Sequence, residues 1–99
     1  MLLKMGVDIS RLGRPIRRAL NQIKQVFQNH GKEAVITSTY EGNHSSGSLH
    51  YANLAVDVRS KDLGETERKE LLKELKGLLG GAYDITPEGD HLHVEYDPE

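Results

Sequence analysis

The chain has 99 residues, of which 36% are hydrophobic and 28% are charged, and its formal net charge is -2 at pH 7. This length and composition predict one small domain over residues 1–99 with a single core. Lys and Arg are interspersed with Asp and Glu, so no basic stripe is available for a nucleic-acid backbone. Because the chain has no cysteine, a metal site must use His, Asp or Glu.

The apolar run at the N-terminus is too short for a secretory signal, and no segment has the roughly 20 apolar residues of a membrane span. We therefore expect a monomer that is cytoplasmic at synthesis, has no signal peptide and does not associate with membranes. If the substrate lies outside the cell, a separate export route or cell lysis must release the protein.

The first predicted element is a helix that begins at Pro15 and ends before Gly31, which favour a helix start and a helix stop. Its apolar residues recur at helical spacing: Ile16, Ala19, Leu20, Ile23, Val26 and Phe27. Residues 34–40 are rich in β-branched side chains and predict a strand. Residues 41–48 contain Gly, Asn, His and Ser with hardly any apolar residue, which predicts a loop.

The remaining predicted elements are, in order, a strand over residues 54–58, a helix over 63–79, and strands over 83–86 and 91–96. Asp62 and Glu65 have the spacing of a capping box at the start of the second helix. A turn over residues 87–90 joins the last two strands as a hairpin. The predicted order is α-β-β-α-β-β, an α+β domain with a small antiparallel sheet covered on one face by helices.

Two of the predicted strand regions carry clustered metal-binding side chains. His50 precedes Asp57 by seven residues, and His91 and His93 are two residues apart. Because alternate side chains of a strand share a face, His91 and His93 point the same way, and Asp57 points away from the core. If the two strands are neighbours, Asp57 and His93 converge, and His50 reaches them from the preceding loop.

Two imidazoles and one carboxylate suit Zn²⁺, and three protein ligands leave the fourth tetrahedral position for water. Zinc lowers the pKa of such a water to about 7 and polarises a carbonyl under attack, so the predicted site is a catalytic one in a groove of the open sheet face. A neighbouring carboxylate is then needed to transfer the proton. Asp90, three residues before His93, is the candidate.

Each of these side chains also has a purely structural interpretation. His44 can be an ordinary surface histidine, and His30 can provide a favourable charge at the end of the first helix. Asp90 can serve only to form the turn after a glycine. Asp57 can be a solvated strand residue, and His91 can be a cross-strand partner.

A family resemblance adds to these patterns. The run SLHYANLAVD, residues 48–57, resembles the S-x-H-x-x-G-x-A-x-D signature of the LAS zinc peptidases, which are D-alanyl-D-alanine carboxypeptidases and L-alanyl-D-glutamate endopeptidases with a hedgehog-like fold. The sequence HLH over residues 91–93 resembles the closing H-x-H of that family. The resemblance covers residues 34–97. The chain also resembles short phage-type members of this family.

The resemblance implies that His50, Asp57 and His93 bind zinc, that Asp90 is the general base, and that His91 stabilises the tetrahedral intermediate. It implies hydrolysis of a peptide bond in peptidoglycan stem peptides, by endopeptidase or D,D-carboxypeptidase action. The alternative is a non-catalytic zinc-binding module of the same fold, as in the hedgehog signalling domains. The carboxylate at position 90 favours the enzyme, because a structural zinc site needs no acid beside an open metal position.

The sequence departs from the family pattern at several points. Asn53 replaces the signature Gly, and Asp90 is shorter than the Glu of many members. The segment before the motif lacks the arginine with which many members hold a substrate carboxylate. Arg59 or His44 is the candidate to replace this arginine, and Ser48 of the motif is a further candidate for binding substrate. If no carboxylate needs to be held, endopeptidase action is favoured.

Overall fold

The computed structural model describes residues 1–7, 9, 12–39 and 55–97. The candidate residues His44, Ser48 and His50, and the predicted loop over residues 41–48, lie outside this part of the chain. The described elements are β1 (Leu2–Leu3), α1 (Arg14–Asn29), β2 (Val35–Ser38), β3 (Ala55–Arg59), α2 (Glu65–Leu79), β4 (Tyr83–Glu88) and β5 (His91–Tyr96).

Helix α1 confirms the predicted helix and its buried face. Pro15 lies at the helix start, and all six apolar residues at helical spacing are buried. His30 follows as the C-terminal cap, and its Nε2 lies 3.0 Å from Oε2 of Glu74 on α2. His30 therefore links the two helices in addition to lying at the end of α1.

Helix α2 begins two residues later than predicted, at Glu65, and its N-terminal cap is Gly64. No side chain caps this end, so the predicted capping box of Asp62 and Glu65 is wrong. The box requires Asp62 at the cap position, and it lies two residues before that position. Glu65 and Glu67 instead place negative charge in the first turn, where the helix dipole favours it.

The five strands form one sheet in the order β1-β2-β3-β5-β4. Strands β2 to β5 pair antiparallel as predicted, but β1 pairs parallel to β2, so the sheet is mixed and the predicted element order lacks its first strand. Strand β1 has only two residues, both exposed, so no alternation of polar and apolar residues marks it. Its pairing depends on backbone bonds, such as that from Leu2 N to Ala34 O at 2.8 Å.

The last hairpin is tighter than predicted. Strand β4 continues through Pro87 to Glu88, and only Gly89 and Asp90 separate it from β5. Because β4 is an edge strand, Pro87 can lie in it without removing a hydrogen bond that the sheet needs. The longer strand pairs Glu88 with His91.

One hydrophobic core lies between the helices and one face of the sheet. Buried residues of α1 and α2 pack with sheet residues into a single cluster, whose strand members are Ile36, Val56, Val58, Ile85, Leu92 and Val94. The strand residues that alternate with these point to the opposite face. The described part of the chain is thus a small α+β domain with two helices on one side of a five-stranded sheet. In the described part of the chain, no helix is long and apolar enough to cross a membrane.

Candidate functional site

The pairing of β3 with β5 brings the polar residues of two strands together on the open sheet face. Asp57 lies directly opposite His93, and Arg59 lies directly opposite His91. The alternation predicted from the sequence explains this arrangement, because the residues that alternate with these polar ones face the core: Val56, Val58, Leu92 and Val94. The two motif-bearing strands are therefore neighbours, which is the condition under which Asp57 and His93 converge.

Asp57 and His93 form the centre of this face. Oδ1 of Asp57 lies 2.9 Å from Nδ1 of His93, and the two side chains are only 16% and 17% exposed. The other ring nitrogen of His93, Nε2, lies 3.3 Å from Oε1 of Glu95. Carboxylates thus lie beside both nitrogens of the imidazole, which fixes the ring in one orientation.

His91 connects this pair to the turn. Its Nδ1 lies 2.9 Å from Oδ1 of Asp90, and its Nε2 lies 3.7 Å from Oδ2 of Asp57. Carboxylates and imidazoles therefore alternate along the face, in a row that we call the acid–imidazole chain: Asp90, His91, Asp57, His93 and Glu95. Glu88 lies at its side, with Oε2 3.8 Å from Nε2 of His91.

Asp90 lies in the turn before β5 and is the first member of the acid–imidazole chain. Its backbone oxygen accepts a hydrogen bond from Ser60 N at 2.8 Å, and its side chain is 76% exposed. The hydrogen bond with His91 is the main cause that lowers the pKa of Asp90 below its usual value, with a smaller contribution from the charge of Lys61. Asp90 is therefore an ionised carboxylate at neutral pH, and its lowered pKa makes it a weaker base than an unperturbed aspartate.

Asp57 and His93 fit two positions of a zinc site. In a tetrahedral site with bonds of about 2.0–2.1 Å, neighbouring ligand atoms are about 3.3 Å apart, so the two atoms need to separate by only a few tenths of an ångström. Among residues 1–7, 9, 12–39 and 55–97, no group of three or more His, Asp or Glu residues is placed to hold a metal ion. The third predicted ligand, His50, lies outside those residues.

Several residues near this site cannot be predicted from the sequence pattern. Glu88 lies in the predicted turn over residues 87–90, and only the extended strand β4 reveals its pairing with His91. Lys4 and Lys61 line a pocket with Arg59 and His91. No sequence signal placed Lys4 there, because the two-residue strand that precedes it shows no alternation.

The contact between Asp57 and His93 predicts a raised pKa of His93 in the metal-free protein. The hydrogen bond with Asp57 raises the pKa of His93 above its ordinary value of 6.5, and the charges of Asp57, Glu95 and Glu88 add to this increase while burial opposes it. The pair therefore stabilises the metal-free protein below about pH 6.5, and this stabilisation is lost as the pH rises through the raised pKa. We expect NMR titration of chelator-treated protein to show a His93 pKa above 6.5, which falls in Asp57→Asn. A parent value at or below 6.5 would contradict the pairing.

Of the motif residues, Asp57, Asp90, His91 and His93 lie in the described part of the chain. No protein-family model matches this chain, and no curated protein sequence matches it.

Proposed function

We propose that this protein is a zinc-dependent peptidase that hydrolyses a peptide bond in peptidoglycan stem peptides. The observation that carries the proposal is the contact of 2.9 Å between Asp57 and His93, beside which His91 and Asp90 form a second acid–imidazole pair. The substrate class is supported by the resemblance of the motif residues to the LAS peptidases.

His50, Asp57 and His93 would hold the metal. When bound, zinc supplies a Lewis acid that makes water nucleophilic at neutral pH and polarises the carbonyl under attack. Glu95, beside Nε2 of His93, keeps the imidazole of His93 in its orientation. A ligand held in this way loses less conformational freedom when it binds a metal.

Asp90 and His91 would carry out the proton and charge transfer. The Asp90 carboxylate takes a proton from the attacking water on Oδ2 while Oδ1 keeps its contact with Nδ1 of His91. The same proton then passes to the leaving amine, so that one water is consumed and the two peptide products carry a new carboxylate and a new amine. His91, held between Asp90 and Asp57, would stabilise the negative charge that develops on the carbonyl oxygen.

Purified peptidoglycan stem peptides, incubated with the zinc-loaded protein and analysed by mass spectrometry, test this proposal. We expect fragments whose summed masses exceed the parent peptide by one water. Loss of a single C-terminal residue indicates carboxypeptidase action, and two internal fragments indicate endopeptidase action. The matched control is His93→Ala under the same conditions, which should leave the peptide intact. An intact peptide with the zinc-loaded parent protein would contradict hydrolysis and favour the non-catalytic zinc module.

A further inference from the structure

Helix α1 carries charge of one sign on its exposed side. The mixing of acids with bases in the rest of the chain does not extend to this segment, because residues 9–32 contain six Lys and Arg and no Asp or Glu. Four of these cations lie on α1 and are exposed: Arg14, Arg17, Arg18 and Lys24. The apolar residues of the helix are buried, so the four cations share its outer side, which we call the cationic helix face.

The charges of the cationic helix face are not neutralised by neighbouring acids. In the part of the chain that the structure describes, no carboxylate lies within 4.0 Å of the basic groups of Arg14, Arg18 or Lys24. Helix α2 differs, because it carries four Glu beside its four Lys and Arg. There, Nζ of Lys69 lies 3.7 Å from Oε1 of Glu65. The two helices thus present surfaces of different charge on the same side of the sheet.

The stability of α1 does not explain the arginines at its start. The helix dipole makes the N-terminus positive and disfavours cations in the first turn. The first turn of α1 contains no acid and begins with Arg14, and Arg17 and Arg18 follow. Arg17 donates hydrogen bonds to the backbone oxygens of Leu12 and Ile9, at 3.0 and 3.2 Å. Arg14 and Arg18 instead add positive potential to an end of the helix that is already positive.

The cationic helix face has the length of a short stretch of a charged polymer. Arg14 and Arg18 are four residues apart, so they are neighbours on the helix surface. Lys24 follows Arg14 by ten residues, which is about 15 Å along the axis at a rise of 1.5 Å per residue. A row of cations of this length attracts a chain of repeated negative charges more strongly than a single anion, because several counterions are released together.

Three features narrow the class of polyanion. The exposed residues of α1 include no aromatic side chain on which the bases of a nucleic acid could stack. The apolar residues of α1 are buried in the core, so none is free to enter a lipid bilayer. The face lies on the helical side of the sheet, away from the acid–imidazole chain, so both can be occupied together. A phosphate polymer without bases or acyl chains fits these features.

We propose that the cationic helix face binds a linear phosphodiester polymer of the bacterial cell wall, and so holds the protein on the wall while the open sheet face acts on stem peptides. The guanidinium groups of Arg14 and Arg18 and the ammonium group of Lys24 contact successive phosphates through charge-assisted hydrogen bonds. The choice of the cell wall as the source of the polymer rests on the proposed peptidase function. The binding of a phosphodiester chain rests on α1 itself.

Fluorescence anisotropy of labelled poly(glycerol phosphate), titrated with the chelator-treated protein at several salt concentrations, tests the proposal without any hydrolysis. We expect the affinity to fall as the salt concentration rises. In Arg14→Gln/Arg18→Gln, the slope of log K against log salt concentration should shrink in magnitude by about 1.4, which is about 0.7 for each lost phosphate contact. The melting temperature should not fall, because cations at the start of a helix do not stabilise it.

Lys73→Gln/Lys76→Gln is the matched control. It removes the same charge from exposed positions of α2, where acids are interspersed, and should keep the parental affinity and salt slope. Lys24→Gln gives a second test of the face if the arginine variant fails to fold, and its slope should shrink by about 0.7. Equal losses of affinity in the α1 and α2 variants, or parental affinity in the α1 variants, would overturn the assignment to the cationic helix face.

Two competitors identify the polymer. At equal phosphate concentration, a single-stranded oligonucleotide and vesicles of anionic phospholipid should displace the labelled polymer no better than unlabelled poly(glycerol phosphate) does. Stronger displacement by either would overturn the wall polymer and assign the face to nucleic acid or to a membrane. Hydrolysis of soluble stem peptides by a protein that does not bind the polymer would overturn this inference and leave the peptidase standing. Binding of the polymer through α1 by a protein that cleaves no peptide would support the phosphodiester site although the proposed peptidase function fails.

Discussion

The isolated protein should carry about one zinc ion per chain, and replacing His50, Asp57 or His93 with Ala should remove it. Each replacement deletes one of three proposed ligands, and the two ligands that remain cannot hold zinc in a site open to water. Asp57 and His93 are already in contact, so these two side chains have to move little when the metal binds. Elemental analysis of the purified protein, together with competition against a chelator of known affinity, measures the loss. Full zinc content in all three variants would refute the ligand assignment.

His91→Ala is the matched control for these variants. Its ring lies on the same face, with Nε2 3.7 Å from Oδ2 of Asp57, so the replacement removes an imidazole close to the proposed metal without removing a proposed ligand. We expect this variant to retain its zinc. Loss of zinc from His91→Ala to the same extent as from His93→Ala would make His91 a ligand and the site a closed structural one.

Asp90→Asn should lower the rate of peptide hydrolysis by about 10²- to 10⁴-fold, the effect typical of losing a positioned proton-transfer group. Zinc content and thermal stability should remain close to those of the parent. Asp90 is not a proposed ligand, its side chain is 76% exposed, and the amide oxygen of Asn can still accept a hydrogen bond from Nδ1 of His91. Parallel measurements of turnover, metal content and melting temperature test all three expectations.

Asp90→Glu provides the comparison for this variant. It keeps the carboxylate at the length common among LAS peptidases and should retain measurable activity. If Asp90 only shapes the turn, both variants should cleave peptide as fast as the parent and differ only slightly in stability. Unchanged hydrolysis by Asp90→Asn would exclude it as the base. Glu95, with Oε1 3.3 Å from Nε2 of His93, would be the next candidate.

The sequence predicted the parts of the fold that repeat a clear pattern. The helical spacing from Ile16 to Phe27 gave α1 and its buried face, and the alternation around Asp57 and His93 gave two strands with polar residues on one face. The pattern did not show that these strands are neighbours, since pairing depends on contacts between distant parts of the chain. The structure supplies that fact as a register in which Asp57 and His93 are opposite.

Other features had no local signal or a misleading one. Strand β1 is too short to show a period, so neither its parallel pairing nor the position of Lys4 beside Arg59 and Lys61 could be predicted. Pro87 and Gly89 indicated a turn, and the edge position of β4, which allows the strand to include Pro87, is a property of the whole sheet. Asp62 and Glu65 had the spacing of a capping box, but the helix begins after Gly64.

The order of the strands determines how firmly the two central residues are held. Strands β3 and β5 each have a hydrogen-bonded neighbour on both sides, whereas β1 and β4 form the edges of the sheet. Fraying of a sheet begins at its edges and costs much less free energy than opening its interior. Edge strand β4 can therefore open transiently without separating Asp57 from His93. That separation requires β3 and β5 to part and so exposes the hydrophobic core. We therefore expect the slowest amide hydrogen exchange in β3 and β5, the strands that hold the candidate site, and the proposed ligand pair should persist as long as the domain stays folded.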